Sequence, residues 1–194
     1  MAQTSTSLSG AKSHVENISG SDISFTSTSG VYTISSTSTV LTGAGKLALR
    51  DLVTVTGTTN NNSTFTIKEV VSTTEFTVEE VVTTETADGS TSTTLDHTGF
   101  VTDKAKGDGY FSQVDGVHTV SYQVSILMTG SIKMQGSLAT TPTEDDYFDI
   151  TGTTFTADQS TLISTSNFTG NFVYVRAKAT SVTAGTIEDI LLNN

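Results

Sequence analysis

The chain has 194 residues, no Cys, no Trp and one Pro, and its 20 acidic residues against 9 Lys and Arg give a net charge of −11. Its apolar runs are far shorter than the roughly 20 residues of a membrane-spanning helix, and without Cys neither a disulfide scaffold nor a Cys-ligated zinc site can form. The acidic balance disfavours nucleic acid, which is bound by clustered Lys and Arg. We therefore expect neither a membrane nor a nucleic acid as partner.

The first segment, residues 1–20, has almost no apolar periodicity and is predicted to be an N-terminal arm. It lacks a basic start followed by an apolar block, so no secretory signal is expected in it. Two interpretations of the arm stay open. It folds back on its own domain, or it lies on another molecule.

Residues 21–96 are predicted to form a small antiparallel β-barrel or sheet. The runs 23–27 and 31–35, joined near Gly30, supply two strands. Residues 51–80 are typical of a three-stranded meander, because turn formers separate short runs in which apolar residues are two apart. These apolar pairs are Val53 and Val55, Phe65 and Ile67, and Phe76 and Val78.

Residues 97–109 are polar and charged and are predicted to be a linker. The following residues, 110–194, are predicted to form an antiparallel, jelly-roll-like β-sandwich of about seven or eight strands. Alternating apolar residues over 120–128 and 132–138 indicate a hairpin that turns at Gly130. The predicted fold class is therefore all-β.

Two C-terminal stretches carry further detail. Residues 172–179 place small apolar side chains on one strand face and aromatic and basic side chains on the other. Residues 186–192 fit either a short capped helix or a final strand. We predict the strand, because the neighbouring segments are strands and seven residues make a weak isolated helix.

Domains of under about 100 residues bury a limited share of their surface and are marginal alone. With no Cys to staple them, oligomerisation or docking on a larger body is the expected source of further stability. Charged residues make up only 15% of the chain, and low charge suits the centre of an interface. The sequence therefore predicts a homo-oligomer.

The sequence does not point to a catalytic or cofactor site. Ser is abundant and His14, His97 and His118 are present, but the sequence contains no Gly-x-Ser-x-Gly elbow. His118 is interpreted as a strand-edge residue at the start of a long strand rather than as a base. Residues 43–46 (GAGK) lack the full phosphate-loop spacing. We predict a protein that is not an enzyme, with no cofactor.

Residues 143–149 cluster four carboxylates, which hard cations favour as ligands. Their order does not match a calcium loop, so we predict a solvated acidic turn and no metal site, although the sequence leaves cation binding by 144–149 open. Exposed aromatic residues could form a platform for sugars. The pool is Tyr110, Phe111, Tyr147, Phe148, Phe172 and Tyr174.

Two parts of the sequence resemble phage proteins. Residues 52–67 (LVTVTGTTNNNSTFTI) and 70–80 resemble a β module that recurs in virion proteins of tailed bacteriophages. The C-terminal region is similar to β-sandwich domains in structural proteins of marine phages, including cyanophages. The stretches that carry this similarity are 130–136, 147–150, 167–177 (NFTGNFVYVRA) and 184–194 (AGTIEDILLNN).

This resemblance implies a virion structural protein, with no catalytic residues to carry over. We predict an oligomeric accessory subunit that decorates or cements the capsid or the neck and tail. Its partners would be other virion proteins, such as the major capsid protein or neck and tail proteins, and it would assemble in the bacterial cytoplasm. The alternatives are a receptor- or glycan-binding module of a tail fibre or adhesin and, third, a small β-sandwich hydrolase.

Overall fold

The structure is a computed structural model that describes residues 5–111 and 116–193. The chain divides into two compact units, residues 15–100 and residues 1–14 together with 101–194. Both units consist mainly of antiparallel strands, which confirms the predicted all-β class. Residues 1–4 of the predicted arm, residues 112–115 of the predicted sandwich and the last residue lie outside the described residues.

Within the described residues, the secondary structure consists of strands and two short 3-10 helices, Asp108–Phe111 and Glu144–Asp146. The strands are β1 (Ser5–Ser9), β2 (Lys12–Ser13), β3 (Ile18–Gly20), β4 (Ile23–Thr28), β5 (Val31–Ser36), β6 (Asp51–Thr56), β7 (Thr64–Ser72), β8 (Glu75–Val78), β9 (Thr93–Val101), β10 (Ala105–Lys106), β11 (Val117–Val124), β12 (Thr129–Ser137), β13 (Phe148–Asp149), β14 (Phe155–Thr156), β15 (Ile163–Thr169), β16 (Tyr174–Ala184) and β17 (Thr186–Asn193).

The unit of residues 15–100 is an antiparallel sheet with the strand order β9–β6–β7–β8–β5–β4, and β3 pairs with β9. The first part of β7 pairs with β6 and the rest with β8, so one long strand connects the two halves of the sheet. The predicted meander over 51–80 and the predicted hairpin at Gly30 are both confirmed. Within the described residues no pairing joins β4 to β9, so the sheet stays open.

The core of this unit follows from alternation along its strands. The turn of the β4–β5 hairpin has positive φ at Ser29 (51°) and Gly30 (79°), the geometry that matches the twist of paired strands. Inward-facing side chains from both halves of the sheet then meet in one apolar cluster. Its members include Phe25, Ile34, Val53, Val55, Phe65, Ile67, Phe76, Val78 and Leu95.

The unit of residues 1–14 and 101–194 contains two sheets. In the first the order is β1–β17–β11–β15, and β2 also pairs with β17. In the second, β12 pairs with β16, β13 and β14, and β10 pairs with β16. The Tyr122 hydroxyl from the first sheet donates a hydrogen bond of 2.7 Å to the Thr153 carbonyl beside the second. This packing is consistent with the predicted antiparallel sandwich.

The hairpin predicted across Gly130 is wrong. β11 and β12 lie in different sheets, because β11 has β15 on one side and β17 on the other and offers β12 no free edge. The connection turns at Ser125, whose carbonyl accepts a hydrogen bond from Met128 N and whose own amide binds the Thr186 carbonyl. The chain therefore crosses from one sheet to the other at this point.

The ends of the chain meet in one sheet. Residues 186–193 form β17, so the predicted final strand is confirmed and the helix alternative is not. The predicted arm supplies β1 and β2, which pair with β17, and β3, which pairs with β9. In the segment predicted as a linker, residues 97–101 belong to β9, and β10 and the first 3-10 helix follow.

Candidate functional site

The candidate site lies on the outer face of the second sheet in the unit that contains residues 101–194. Along β16, Val175, Ala177 and Ala179 are buried in the core, so Tyr174, Arg176 and Lys178 point to the opposite side. The sheet register brings further polar residues alongside. Gln135 pairs with Arg176, Lys133 pairs with Lys178, and Lys106 pairs with Tyr174. We call this surface the outer face.

Arg176 is held on the outer face by three neighbouring side chains. Its guanidinium forms a bidentate pair with Glu144, with Nη1–Oε1 and Nη2–Oε2 distances of 2.6 and 2.7 Å. Its Nε donates to the Gln135 side-chain oxygen at 2.9 Å, and the Tyr147 ring centroid lies 3.7 Å from Cζ. The residue is only 3% exposed. Arg176 therefore anchors the acidic segment to the sheet and is not offered to a ligand.

Three of the four carboxylates of residues 144–149, those of Glu144, Asp146 and Asp149, are bound within the protein. Asp146 accepts hydrogen bonds from the amide and hydroxyl of Thr143, which lower the pKa of its carboxyl. Burial acts to raise the pKa of Asp149, but hydrogen bonds from Lys133 and Gln135 outweigh it and leave that pKa below its usual value. Across the described part of the chain, no group of three or more metal-ligating side chains is placed to hold a metal ion.

An aromatic cluster formed by Tyr110, Phe111 and Tyr174 lies at one end of the outer face. The centroid of the Tyr110 ring is 5.2 Å from that of Phe111 and 5.7 Å from that of Tyr174. Lys106 Nζ lies 4.0 Å from the Tyr110 centroid, and Lys104 Nζ lies 4.6 Å from that of Tyr174. These are cation–π distances.

The backbone holds this cluster in place. The amides of Gly107 and Gly109 donate to the carbonyls of Val173 and Phe172, and the Tyr110 amide closes the turn onto Gly107. Tyr110 and Phe111 remain 43% and 54% exposed. Exposed rings can stack on the apolar faces of a ligand, and the neighbouring Lys ammonium groups and Tyr hydroxyls can donate hydrogen bonds to its oxygens.

The six aromatic residues predicted as a sugar platform separate in the structure. Tyr110, Phe111 and Tyr174 come together in the aromatic cluster, whereas Tyr147 covers Arg176. Phe172 is buried, and Phe148 is exposed with its centroid 6.0 Å from that of Phe172. Half of the predicted pool therefore shares one surface. Lys104 and Lys106 were not predicted to belong to this surface, although the basic and aromatic alternation of residues 172–179 indicated part of it.

His97 and His118 are buried and contribute to the packing of the fold. His97 lies in β9, accepts a hydrogen bond from Val15 N on Nδ1 at 3.3 Å, and has Nε2 3.8 Å from Asp51 Oδ1. His118 is fully buried and stacks on Phe168 with the ring centroids 4.8 Å apart. His118 is the second residue of β11, so the predicted position at the start of a long strand is confirmed, and β11 is flanked by a strand on each side.

The carboxylate of Glu85 binds the loop between β6 and β7. The Glu85 side chain accepts hydrogen bonds from the amides of Thr59 and Asn60 and from the Asn61 side chain, at 2.7 to 3.0 Å. These bonds, led by that from the Thr59 amide, lower the pKa of the Glu85 carboxyl. The oxygens of Glu85 are therefore used to order a loop, and they do not form a separate binding site.

Comparison with known proteins adds no family. No family model matches the chain, and no curated protein matches it. Within the described residues no helix is long and apolar enough to cross a membrane.

Proposed function

We propose that this chain is a structural protein of a tailed-phage virion, an oligomeric accessory subunit that decorates or cements the capsid or the neck and tail. The resemblance of residues 52–80 and of the C-terminal region to virion proteins gives the biological setting. The structural observation that carries the proposal is a patch of exposed aliphatic side chains on the 101–194 unit. We call it the apolar end, and its members are Ile126, Leu127, Leu162 and Ile163.

The apolar end is formed by two neighbouring segments of the first sheet. Val124 N donates to the Leu162 carbonyl at 2.9 Å, and Gln123 pairs with Ile163, so the turn after β11 and the start of β15 lie at the same end of the sheet. Its four side chains are between 46% and 67% exposed. Single exposed aliphatic residues are ordinary, but adjacent ones mark contact surfaces. We expect a partner protein to bind to the apolar end.

The charge distribution supports protein contacts at this end. Residues 159–175 contain no charged side chain, although the chain as a whole carries −11. Interface centres are depleted in charge, because desolvating a charged group costs free energy. The buried, core-packed positions of His97 and His118 favour a structural role over an acid–base one.

The proposal is tested with the purified full chain and phage particles assembled without it. We expect the chain to co-sediment with the particles, and the variant Leu127→Asp to lose most of that binding. Val81→Asp is the matched control, because Val81 is a similarly exposed aliphatic residue in the other unit. A wild-type chain that stays in the supernatant with every particle fraction would contradict the proposal.

A second candidate function is favoured by the aromatic cluster. Tyr110 and Phe111 expose their rings beside Lys106, and Lys104 lies over the neighbouring Tyr174 ring, an arrangement that suits a glycan receptor. Binding to a glycan array that falls with Tyr110→Ala, but not with Phe148→Ala, would support this function. An array without hits for the wild-type chain would remove it.

A further inference from the structure

Strand β15 forms the end of the first sheet, and one row of its backbone groups points outward. The Leu162 carbonyl accepts from Val124 N, and Gly170 N donates to the Gly116 carbonyl, both at 2.9 Å. Backbone direction alternates along a strand paired antiparallel. The amides and carbonyls of Ile163, Thr165, Asn167 and Thr169 therefore point away from β11, and no described strand lies beyond them.

The edge of β15 lacks the features that protect exposed strand edges. Natural edges are shielded by charged residues, proline, bulges, short length or a covering segment. β15 has none of the first three, because residues 159–175 are uncharged and proline-free and its pairing with β11 has no register shift. It is also seven residues long.

The edges of four other strands in the described residues are protected. The backbone of Phe25 in β4 exchanges two hydrogen bonds with Glu85, which covers that edge. β1 is short and its pairing with β17 shifts register between Ser7 and Ser9, whereas β13 and β14 have two residues each. Compared with these four edges in the described residues, the edge of β15 is long and uncharged and has no strand beyond it.

We infer that β15 pairs antiparallel with β15 of a second copy of this chain. With a two-fold axis at Ser166, Ile163 faces Thr169 of the second copy and Thr165 faces Asn167 of the second copy. All four outward residues of each copy then exchange backbone hydrogen bonds with an outward residue of the other. The four outward residues are placed symmetrically about Ser166. The same strand of each copy can therefore form one side of a complete ladder of hydrogen bonds.

The uncharged edge of β15 limits the repulsion between two copies. Two chains of −11 repel each other, and contact through β15 places uncharged strands at the closest approach. Ile163 of the apolar end belongs to the ladder and Leu162 flanks it, and both lose exposed apolar surface in the pair. The inference rests on the proposed oligomeric role for its biological setting, but its test needs no phage particle.

The test uses charge exchange at the two positions that face each other across the axis. We compare the wild type with Thr165→Glu plus Asn167→Glu and with Thr165→Lys plus Asn167→Lys by sedimentation equilibrium. We expect the wild type to dimerise and each charged variant alone to dissociate about tenfold more readily or more, because like charges lie opposite each other. An equimolar mixture of the two variants should form a heterodimer.

The matched control is Thr26→Glu plus Thr28→Glu, which places the same charges at the same spacing on β4, where both side chains are exposed. It should dimerise like the wild type. Thr165→Pro is a second probe, since the Thr165 amide points outward and its removal leaves the bonds to β11 intact. We expect Thr165→Pro to keep the wild-type circular dichroism spectrum and to be monomeric.

A wild-type chain that stays monomeric at its highest soluble concentration would overturn the inference, as would charged variants that each dimerise as tightly as the wild type. Binding to particles is measured separately with the monomeric variants and the wild type. A chain that binds particles but never pairs through β15 refutes this inference and leaves the proposed function standing. A chain that pairs but binds no particle does the reverse.

Discussion

The Arg176–Glu144 pair gives a prediction whose size follows from burial. In Glu144→Ala, the guanidinium of Arg176 keeps Gln135 and Tyr147 but loses both charge-assisted hydrogen bonds. The Arg176 side chain is 4% exposed, so water cannot replace the lost carboxylate without opening the structure. The variant therefore leaves a buried charge unpaired.

The magnitude is bounded from two sides. Removing one partner of a fully buried ion pair costs about 3–5 kcal/mol, whereas exposed pairs contribute about 0–1 kcal/mol. The Glu144 side chain is 28% exposed, so partial hydration lowers the cost from the upper range. We expect Glu144→Ala to reduce the free energy of unfolding by about 3 kcal/mol.

The assay is urea unfolding followed by far-UV circular dichroism, with amide hydrogen exchange to assign the change to the 101–194 unit. Asp145→Ala is the control, because the neighbouring Asp145 is exposed and should change stability by less than about 0.5 kcal/mol. The double variant Arg176→Met plus Glu144→Met should recover most of the loss, since the unpaired charge is gone. Equal stabilities of the Glu144→Ala and Asp145→Ala variants would refute the reasoning.

Three further predictions concern backbone, core and loop. Gly185→Ala should cost about 2 kcal/mol or more in thermal unfolding, and Gly152→Ala about 1 kcal/mol, because both have positive φ but only at Gly185 would the new Cβ overlap another backbone. Burial raises the pKa of Tyr122, so its hydroxyl stays a donor, and Tyr122→Phe should lower urea stability by about 1–2 kcal/mol. The lowered pKa of Glu85 means that its contribution is present above the usual pKa and lost as pH falls through the folded value. The protection factors of the amides in loop 57–63, which compare hydrogen exchange with its intrinsic rate at each pH, should therefore fall in acid, and Glu85→Gln should remove much of that pH dependence.

The sequence predicted the fold class where alternation was strong. Val53 and Val55 in β6, or Phe76 and Val78 in β8, occupy every second position and are buried in the structure. Such a pattern reports on one strand and its neighbours along the chain, and the 51–80 meander joins strands that are consecutive in sequence. Local information was sufficient for that part.

The same pattern failed at Gly130, because alternation identifies a strand but not its partner. β11 pairs with β17 and β15, strands that follow it by tens of residues. The turn formers at 129–130 are compatible with a hairpin and with a crossing between sheets. Only the long-range competition for the edges of β11 decides between them, and no local signal carries that information.

The candidate site was predictable in type but not in composition. The alternation of residues 172–179 indicated a basic and aromatic face, and the structure places Tyr174, Arg176 and Lys178 there. Periodicity could not show that Arg176 is the neutralised cation. Its partners Gln135 and Glu144 are distant in sequence and reach Arg176 only because β12 and β16 pair. The lysines at 104 and 106 joined the face through β10, a strand of two residues that periodicity cannot detect.

The hydroxyl-rich composition has a physical role that explains how the chain tolerates its charge. Hydrogen bonds to Asp22, first among them that from Ser36, hold the pKa of its carboxyl below the usual range. Asp88 and Asp158 are held in the same way by amides and hydroxyls of nearby Ser and Thr residues. Neutral donors stabilise a carboxylate without cancelling its charge, so the chain keeps its net −11. Copies of such a chain repel each other over most of their surface, and close contact between them is therefore favoured where an uncharged segment such as β15 is exposed.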